Sequence, residues 1–381
     1  MKFTVLQRSQ KSQARLGLLA TPHGVVETPA LVAVATQAAV KTITSGELKM
    51  AKSKIAISNT FYLHEQPGEE VISKLGGLNK FMAWDGVTMT DSAGFQVFSL
   101  GFGLDFGIGK KIKYFPGRQK LKVDVKDQPK GLKITQDGVY FSSPFDGQKL
   151  FIGPKESISI QEKLGADIIF AFDECTPPLI TRDYARLSLL RTHRWAKICR
   201  ETHRTKQALF GIVQGSNFRE LREESARYIN SLGFEGFGIG GDLGESKTDT
   251  RDILRWTLPI LDEGKPRHLL GIGYPEDMEL IIKEGIDLFD CTVPTHYGRR
   301  GIAFTREGRL NFRKSEYESE KSPLDKDCLC TVCTGDFPRY YINHLIRARE
   351  ILGLRLLTLH NLYYFNTLVE KIREKIKEGK V

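Results

Sequence analysis

The sequence predicts an α/β fold, a closed (β/α)8 TIM barrel with a small cysteine-bearing subdomain near the C-terminus. Three observations predict it. Eight short apolar runs recur along the 381 residues, most gaps between them carry a helical pattern, and three of the six cysteines crowd into six late positions. Continuous apolar runs, as opposed to alternating ones, fit parallel strands buried on both faces. Eight such strand–helix units fit a closed barrel.

In chain order the runs are Pro29–Val34, Lys54–Asn59, Val87–Asp91, Ala166–Asp173, Ala208–Gln214, Phe237–Gly241, His268–Gly273 and Ile286–Asp290. Helical stretches read at Thr181–Thr202, Asn217–Leu232, Asp249–Leu261 and Pro275–Glu284. Two segments break the rhythm. Residues 107–147 form an excursion after the third strand, and its 110–133 part holds nine Lys or Arg against Asp124 and Asp127. Its β-prone pieces (121–123 and 139–141) predict hairpins; it is either a flexible basic loop or a contact for an RNA backbone. Residues 313–360 form the cysteine-bearing module. A terminal helix, Asn361–Glu378, then packs back on the barrel within 361–381. The barrel itself takes 1–312.

Lys plus Arg number 56 against 46 Asp plus Glu, for a net charge of +10. That balance favours a polyanionic partner. Met1–Gln13 is polar and charged, without the apolar stretch of an export signal. No run of about 18 apolar residues is present. These features make the cytoplasm the expected location.

The barrel predicts where chemistry belongs, because its βα loops open at the C-terminal ends of the strands. Polar residues end these runs at Asn59, Asp91, Asp173, Gln214 and Asp290, with glycines at Gly240, Gly241 and Gly271. Cys328-Leu329-Cys330-Thr331-Val332-Cys333 is C-x-C-x-x-C, which can wrap one zinc ion. The fourth ligand is His360 in preference to His344, which sits in a helical pattern where a lone histidine packs or faces solvent. Four protein ligands close the coordination sphere, so one structural Zn2+ per chain is expected. Cys175, Cys199 and Cys291 are scattered and are not read as ligands; Cys199 reads as packing alone.

These residues converge on a family. Thr90-Asp91-Ser92-Ala93-Gly94-Phe95-Gln96-Val97-Phe98-Ser99-Leu100 resembles the signature of bacterial tRNA-guanine transglycosylases. So do Phe172-Asp173-Glu174-Cys175-Thr176-Pro177, Gly211-Ile212-Val213-Gln214-Gly215, Arg267-His268-Leu269-Leu270-Gly271-Ile272-Gly273 and Phe289-Asp290-Cys291-Thr292-Val293-Pro294-Thr295. The C-x-C-x-x-C and the later His-Asn resemble the family's zinc site, and the likeness runs in order from about residue 3 to 378. The resemblance implies a glycosyltransferase of queuosine biosynthesis. Such enzymes exchange guanine 34 of tRNAs with G-U-N anticodons (the Asp, Asn, His and Tyr types) for a 7-deazaguanine. That base is preQ1 in the bacterial type and queuine in the eukaryotic type. A homodimer that shares one tRNA is also implied.

The resemblance places Asp290 as the nucleophile and Asp91 as the proton shuttle. Asp173, Gln214 and Gly241 would read base edges, Phe95 and Leu270 would cover its faces, and Ser92 and Asn59 would contact base or ribose. His296, Arg299 and Arg300 would bind neighbouring anticodon nucleotides; Arg339, Arg347 and Arg349 are further phosphate candidates. The sequence departs from the family pattern in four places. The glycine loop Gly240-Gly241-Asp242-Leu243-Gly244-Glu245 is one residue short and carries an added acid. Asp242 or Glu245 could pair with the aminomethyl cation of preQ1, whereas a shorter loop could make room for queuine; Cys175 favours preQ1. His296 replaces a common arginine, Asn59-Thr60-Phe61-Tyr62-Leu63 varies its motif, and the basic excursion is long. Competing readings are a non-catalytic tRNA-binding subunit of a heteromeric enzyme, a zinc-dependent nucleoside hydrolase and a plain RNA-binding module. The retained acids disfavour the first, and a closed zinc site disfavours the second.

Overall fold

The computed structural model describes residues 1–98, 132–143, 147–176, 180–244 and 246–381. The eight apolar runs all become strands. They are β4 (Ala30–Val34), β5 (Ile55–Ser58), β6 (Val87–Thr90), β10 (Ile168–Phe170), β11 (Ala208–Val213), β12 (Gly236–Ile239), β13 (Arg267–Leu269) and β14 (Leu288–Asp290). They pair in parallel and close as β10-β11-β12-β13-β14-β4-β5-β6. The helical stretches follow as Arg182–Thr202, Arg219–Ser231, Lys247–Thr257 with a 3-10 turn, and Pro275–Lys283. The barrel and the cysteine cluster are therefore as the sequence predicts.

Side-chain parity explains why continuous apolar runs were needed. On β5, Ile55 and Ile57 point into the lumen and Ala56 points out under the helices. On β10, Ile168 and Phe170 face inward and Ile169 outward. Each strand thus buries both faces, one in a lumen cluster and one beneath the helical ring. Parity also turns Leu288 inward and Phe289 outward on β14, so Asp290 comes at the inward register, at the top of the lumen.

The opposite end of the barrel is closed by elements the sequence reading missed. β1 (Lys2–Arg8), β2 (Arg15–Thr21) and β3 (Gly24–Thr28) form an antiparallel sheet, and Leu19 and Val26 from it complete the lumen cluster. A buried ion pair bolts this sheet to the barrel. Arg15 donates Nε and Nη2 to Asp287, at 2.8 and 2.6 Å, and Asp287 also accepts the Arg267 backbone N–H at 2.8 Å. Both side chains are almost wholly buried.

At the end of the basic excursion β7 (Leu132–Ile134) and β8 (Val139–Ser142) pair, matching the hairpin reading at 139–141, and β9 (Lys149–Ile152), just past it, adds the third antiparallel strand. The rest of that prediction, including 121–123 and most of the basic residues, lies outside the described residues. Near the C-terminus, β15 (Ile302–Thr305) and β16 (Gly308–Asn311) make a hairpin. The terminal helix needs correction. It runs Ile351–Lys377, so it begins ten residues before Asn361 and a boundary at 360/361 would cut it. Removing one partner of a buried ion pair costs about 3–5 kcal/mol, because the other charge is stranded. Asp287→Ala is expected to lose stability of that order in urea unfolding; a loss under about 1 kcal/mol would show that Arg15 and the terminal sheet are not anchored this way.

Candidate active site and metal centre

The C-terminal mouth of the barrel gathers the predicted residues. Asp91 follows β6, and its Oδ1 accepts the backbone N–H groups of Thr60 and Ala93, both at 3.0 Å. Asn59 donates its amide to the other oxygen, and the Thr60 hydroxyl donates to the Asp91 carbonyl at 2.5 Å. Asn59 is also the N-cap of the helix Thr60–Glu65, accepting from Tyr62 N at 3.1 Å. The structure thus employs Asn59 in holding Asp91. Ala93 adopts a left-handed backbone (φ 68°), which turns its N–H back onto the carboxylate.

Asp173 follows β10. It accepts the Ser92 hydroxyl at 2.9 Å on Oδ1 and the Gln214 amide at 2.6 Å on Oδ2. The Gln214 carbonyl oxygen is buried without a partner. A buried acceptor left open costs free energy unless a ligand supplies the donor. Gly241 (φ 79°) packs against that same carbonyl, and any side chain there would collide with it. Gly240 faces Gln214 and Leu270, and Phe95, on residues 94–98 of a helix, is 47% exposed at the same mouth.

Asp290 ends β14. Its Oδ1 accepts Nε2 of His268 at 2.8 Å and the Gly271 N–H at 3.2 Å. Burial lifts the Asp91 carboxyl to about 7, over the opposing pull of its donors, and the negative charge of Asp290 adds to the lift. Burial likewise lifts Asp173 to about 6, with Glu174 adding. Desolvation disfavours the charged form, and a like charge nearby does the same. A carboxyl that exchanges its proton near neutrality can serve as acid and base in turn.

Two supports were not legible as site residues. His268 sits inside an apolar strand and looks like core. Arg222 is wholly buried and donates to the carbonyls of Val213, Ser216, Gly240 and Asp242 at 2.6–3.1 Å, which ties the Gln214 loop to the Gly241 loop. Asp242 is buried beside it, with Oδ1 accepting Gly244 N at 3.0 Å; Glu245 lies outside the described residues. Cys199 does more than pack: its thiol accepts the Phe172 N–H at 3.3 Å, behind Asp173.

His296, Arg299 and Arg300 cluster on and just past the helix Val293–Gly298. Partial burial and the two guanidinium charges push the His296 imidazole below its ordinary range. Arg339 is withdrawn from the phosphate candidates. It is buried and donates to Pro323 O, Leu324 O and Glu307. Arg347 pairs with Glu318, and Arg349 lies past the end of its helix, which stops at Arg347.

Cys328, Cys330, Cys333 and His360 form one cluster. Nδ1 of His360 lies 3.7, 3.5 and 3.3 Å from the three sulfurs. A tetrahedral zinc with bonds of about 2.3 Å to sulfur and about 2.0 Å to nitrogen sets that edge at about 3.5 Å. The donor set therefore fits Zn2+. His360 does not open the last helix; it sits mid-helix, wholly buried, where Nε2 donates to Phe304 O at 2.8 Å and leaves Nδ1 to the metal. Asn361 donates to Pro294 O and Ile302 O, each at 3.0 Å, and accepts Phe304 N at 2.9 Å. The metal centre is thereby wired to the segment carrying His296, Arg299 and Arg300.

A parallel barrel with two proton-active acids and an open hydrogen-bond acceptor at its mouth is an enzyme-type site, and a Cys3His set that fills four coordination positions leaves none for metal-activated water. The comparisons agree. Residues 9–381 match the family model described as Queuine tRNA-ribosyltransferase. The queuine tRNA-ribosyltransferase of Pelotomaculum thermopropionicum is 45% identical over 100% of this chain and 96% of its own. That of Halothermothrix orenii is 45% identical over 99% of this chain and 94% of its own. The chain belongs to the queuine tRNA-ribosyltransferase family and is a tRNA-guanine transglycosylase. Among the described residues no helix is long and apolar enough to cross a membrane.

Metal analysis tests the Cys3His centre. The purified protein should carry one zinc per chain, and Cys330→Ser should lose it and unfold at lower temperature. Zinc-free protein with unchanged melting would contradict a structural metal.

Proposed function

We propose that this enzyme exchanges guanine 34 of G-U-N anticodon tRNAs for a 7-deazaguanine by double displacement. The observation that carries the reading is the pairing of Asp91 and Asp290: two inward-facing acids at one barrel mouth, with burial and mutual charge keeping a proton on Asp91 up to about pH 7. Asp290 attacks ribose C1′, the bond to N9 of guanine breaks, and the bonding electrons leave with the base. Asp91 delivers a proton to the departing guanine. In reverse it takes one from the incoming base, whose N9 then displaces Asp290. Two inversions retain the configuration at C1′. Water must be kept out while the ribosyl ester stands.

The target base is splayed from its loop into the pocket, which costs least in a single-stranded anticodon. Asp173 and Gln214 supply acceptors to the guanine N1–H and amino group. The open carbonyl of Gln214 supports this assignment. The Gly241 backbone meets the remaining polar edge; Phe95 and Leu270 cover the two faces, and Ser92 and Asn59 act through Asp173 and Asp91. His296, Arg299 and Arg300 hold the flanking nucleotides. The zinc ion, held by Cys328, Cys330, Cys333 and His360, supplies rigidity alone. preQ1 is the favoured incoming base, because Asp242 places an acid in the loop that would face its aminomethyl cation. A cytoplasmic homodimer sharing one tRNA completes the proposal.

Radiolabelled guanine should enter an unmodified tRNA-Tyr transcript and be chased by preQ1 more effectively than by queuine. Asp290→Ala should abolish labelling by at least about 10⁴-fold, and Asp91→Asn should slow it by about 10²–10⁴-fold. Labelling that survives Asp290→Ala would overturn the nucleophile, and a chase by queuine alone would reverse the choice of base.

A further inference from the structure

We propose that His268 is a positioning residue for the nucleophile: it pins Oδ1 of Asp290, leaves Oδ2 to attack, and steadies the carboxylate when the ribosyl bond breaks again. The inference rests on the reading of Asp290 as the nucleophile.

Strand register brings the pair together. β13 pairs with β14 as His268↔Leu288 and Leu269↔Phe289. Leu269 and Phe289 point outward, so His268 and Asp290 share the inward face, two residues apart on neighbouring strands. Nε2 of His268 reaches Oδ1 at 2.8 Å, and the Gly271 N–H reaches the same oxygen at 3.2 Å. Gly271 has φ 77°, a left-handed turn that aims this N–H back over the strand end. Among the described residues no donor reaches Oδ2. The two carboxylate oxygens are therefore unequal: one is held twice, and the other keeps its lone pairs.

The imidazole is itself fixed. His268 is wholly buried, its ring meets Phe170 edge-on at 5.5 Å and 75°, and Nδ1 is buried without a hydrogen-bond partner. A proton on Nδ1 would strand a buried N–H and turn a lone pair toward the carboxylate. The geometry assigns the proton to Nε2.

Such a donor acts unevenly on the two displacements. In the first, Oδ2 forms the bond to C1′ while the bond to N9 breaks toward the base. Oδ1 becomes the ester carbonyl oxygen, still held by His268 and Gly271. In the second, the incoming nitrogen bonds to C1′ and the electron pair of the C1′–Oδ2 bond returns to the carboxylate, spread over both oxygens. Donors already in place at Oδ1 stabilise that returning charge without reorganising. Losing one leaves a more basic carboxylate, which is a poorer leaving group. The second displacement then slows more than the first, and the ester builds up.

The test compares wild type with His268→Phe, His268→Met and His268→Gln in guanine exchange on an unmodified tRNA-Tyr transcript. Rates are read alongside the denaturant-stable protein–RNA adduct at saturating guanine. His268→Phe and, should that not fold, His268→Met are expected to lose kcat by on the order of 10²-fold. KM for tRNA should fall together with kcat, because the ester ties up the enzyme, and the adduct share should rise. His268→Gln keeps an N–H donor and should recover most of kcat. Donor-free variants with near-wild-type kcat, a rate loss without adduct build-up, or a glutamine variant as slow as the phenylalanine variant would each overturn the proposal. A wild-type protein that exchanges no guanine would instead overturn the reading of Asp290 on which it rests.

Discussion

Three carboxylates share one barrel mouth, and among the described residues only polar, uncharged contacts and one imidazole hold them. Asp91 is held by an amide and two backbone N–H groups, Asp173 by a hydroxyl and an amide, and Asp290 by His268 and a glycine N–H. A neighbouring arginine or lysine would have stabilised the ionised forms and lowered their proton affinity. With none in ion-pair contact, burial dominates at Asp91 and Asp173, and both carboxyls titrate far above their ordinary range. The arrangement costs stability. An acid with a raised native pKa keeps a proton that the unfolded chain gives up near 3.8, so stability falls as pH rises from about 4 to 7. The same property lets Asp91 give and take a proton near neutrality.

The rest of the fold meets that cost. The lumen below the acids is filled by apolar side chains and closed by the N-terminal sheet, which Arg15 and Asp287 fasten in place. Arg222 spends its charge on four carbonyls, so the Gln214 and Gly241 loops stay fixed without an arginine entering the carboxylate cluster. The Cys3His cluster plays the same part beyond β14. His360 and Asn361 tie the last helix to Phe304, Ile302 and Pro294, the segment directly after β14.

The barrel was legible because each strand buries both faces, which leaves an unbroken apolar run such as Ile168–Phe172. The rim acids were legible because the runs Val87–Asp91, Ala166–Asp173 and Ile286–Asp290 each end in an acid at the open end. The N-terminal sheet was not: β1 is largely solvent-facing, so its residues carry little apolar signal. The start of the last helix was obscured by Ile351–Leu359, which is apolar nearly all round and has no helical period to read. His268 was hidden for a different reason. It occupies an inward register in an apolar strand, and only the pairing with β14 shows that Asp290 lies within reach. Arg339 misled in the opposite direction, since a basic residue opening a helix reads as a surface charge until its carbonyl partners are placed.

The central claim is that Asp91 holds its proton to near-neutral pH because it is buried beside another acid without a countercharge. The direct measurement is an infrared titration of the protein, read as the difference between wild type and Asp91→Asn. A protonated-carboxyl C=O band that belongs to Asp91 and disappears with a midpoint near pH 7 is the predicted result. A carboxyl already ionised at pH 5 would contradict it, and with it the account of how one residue serves both directions of the exchange.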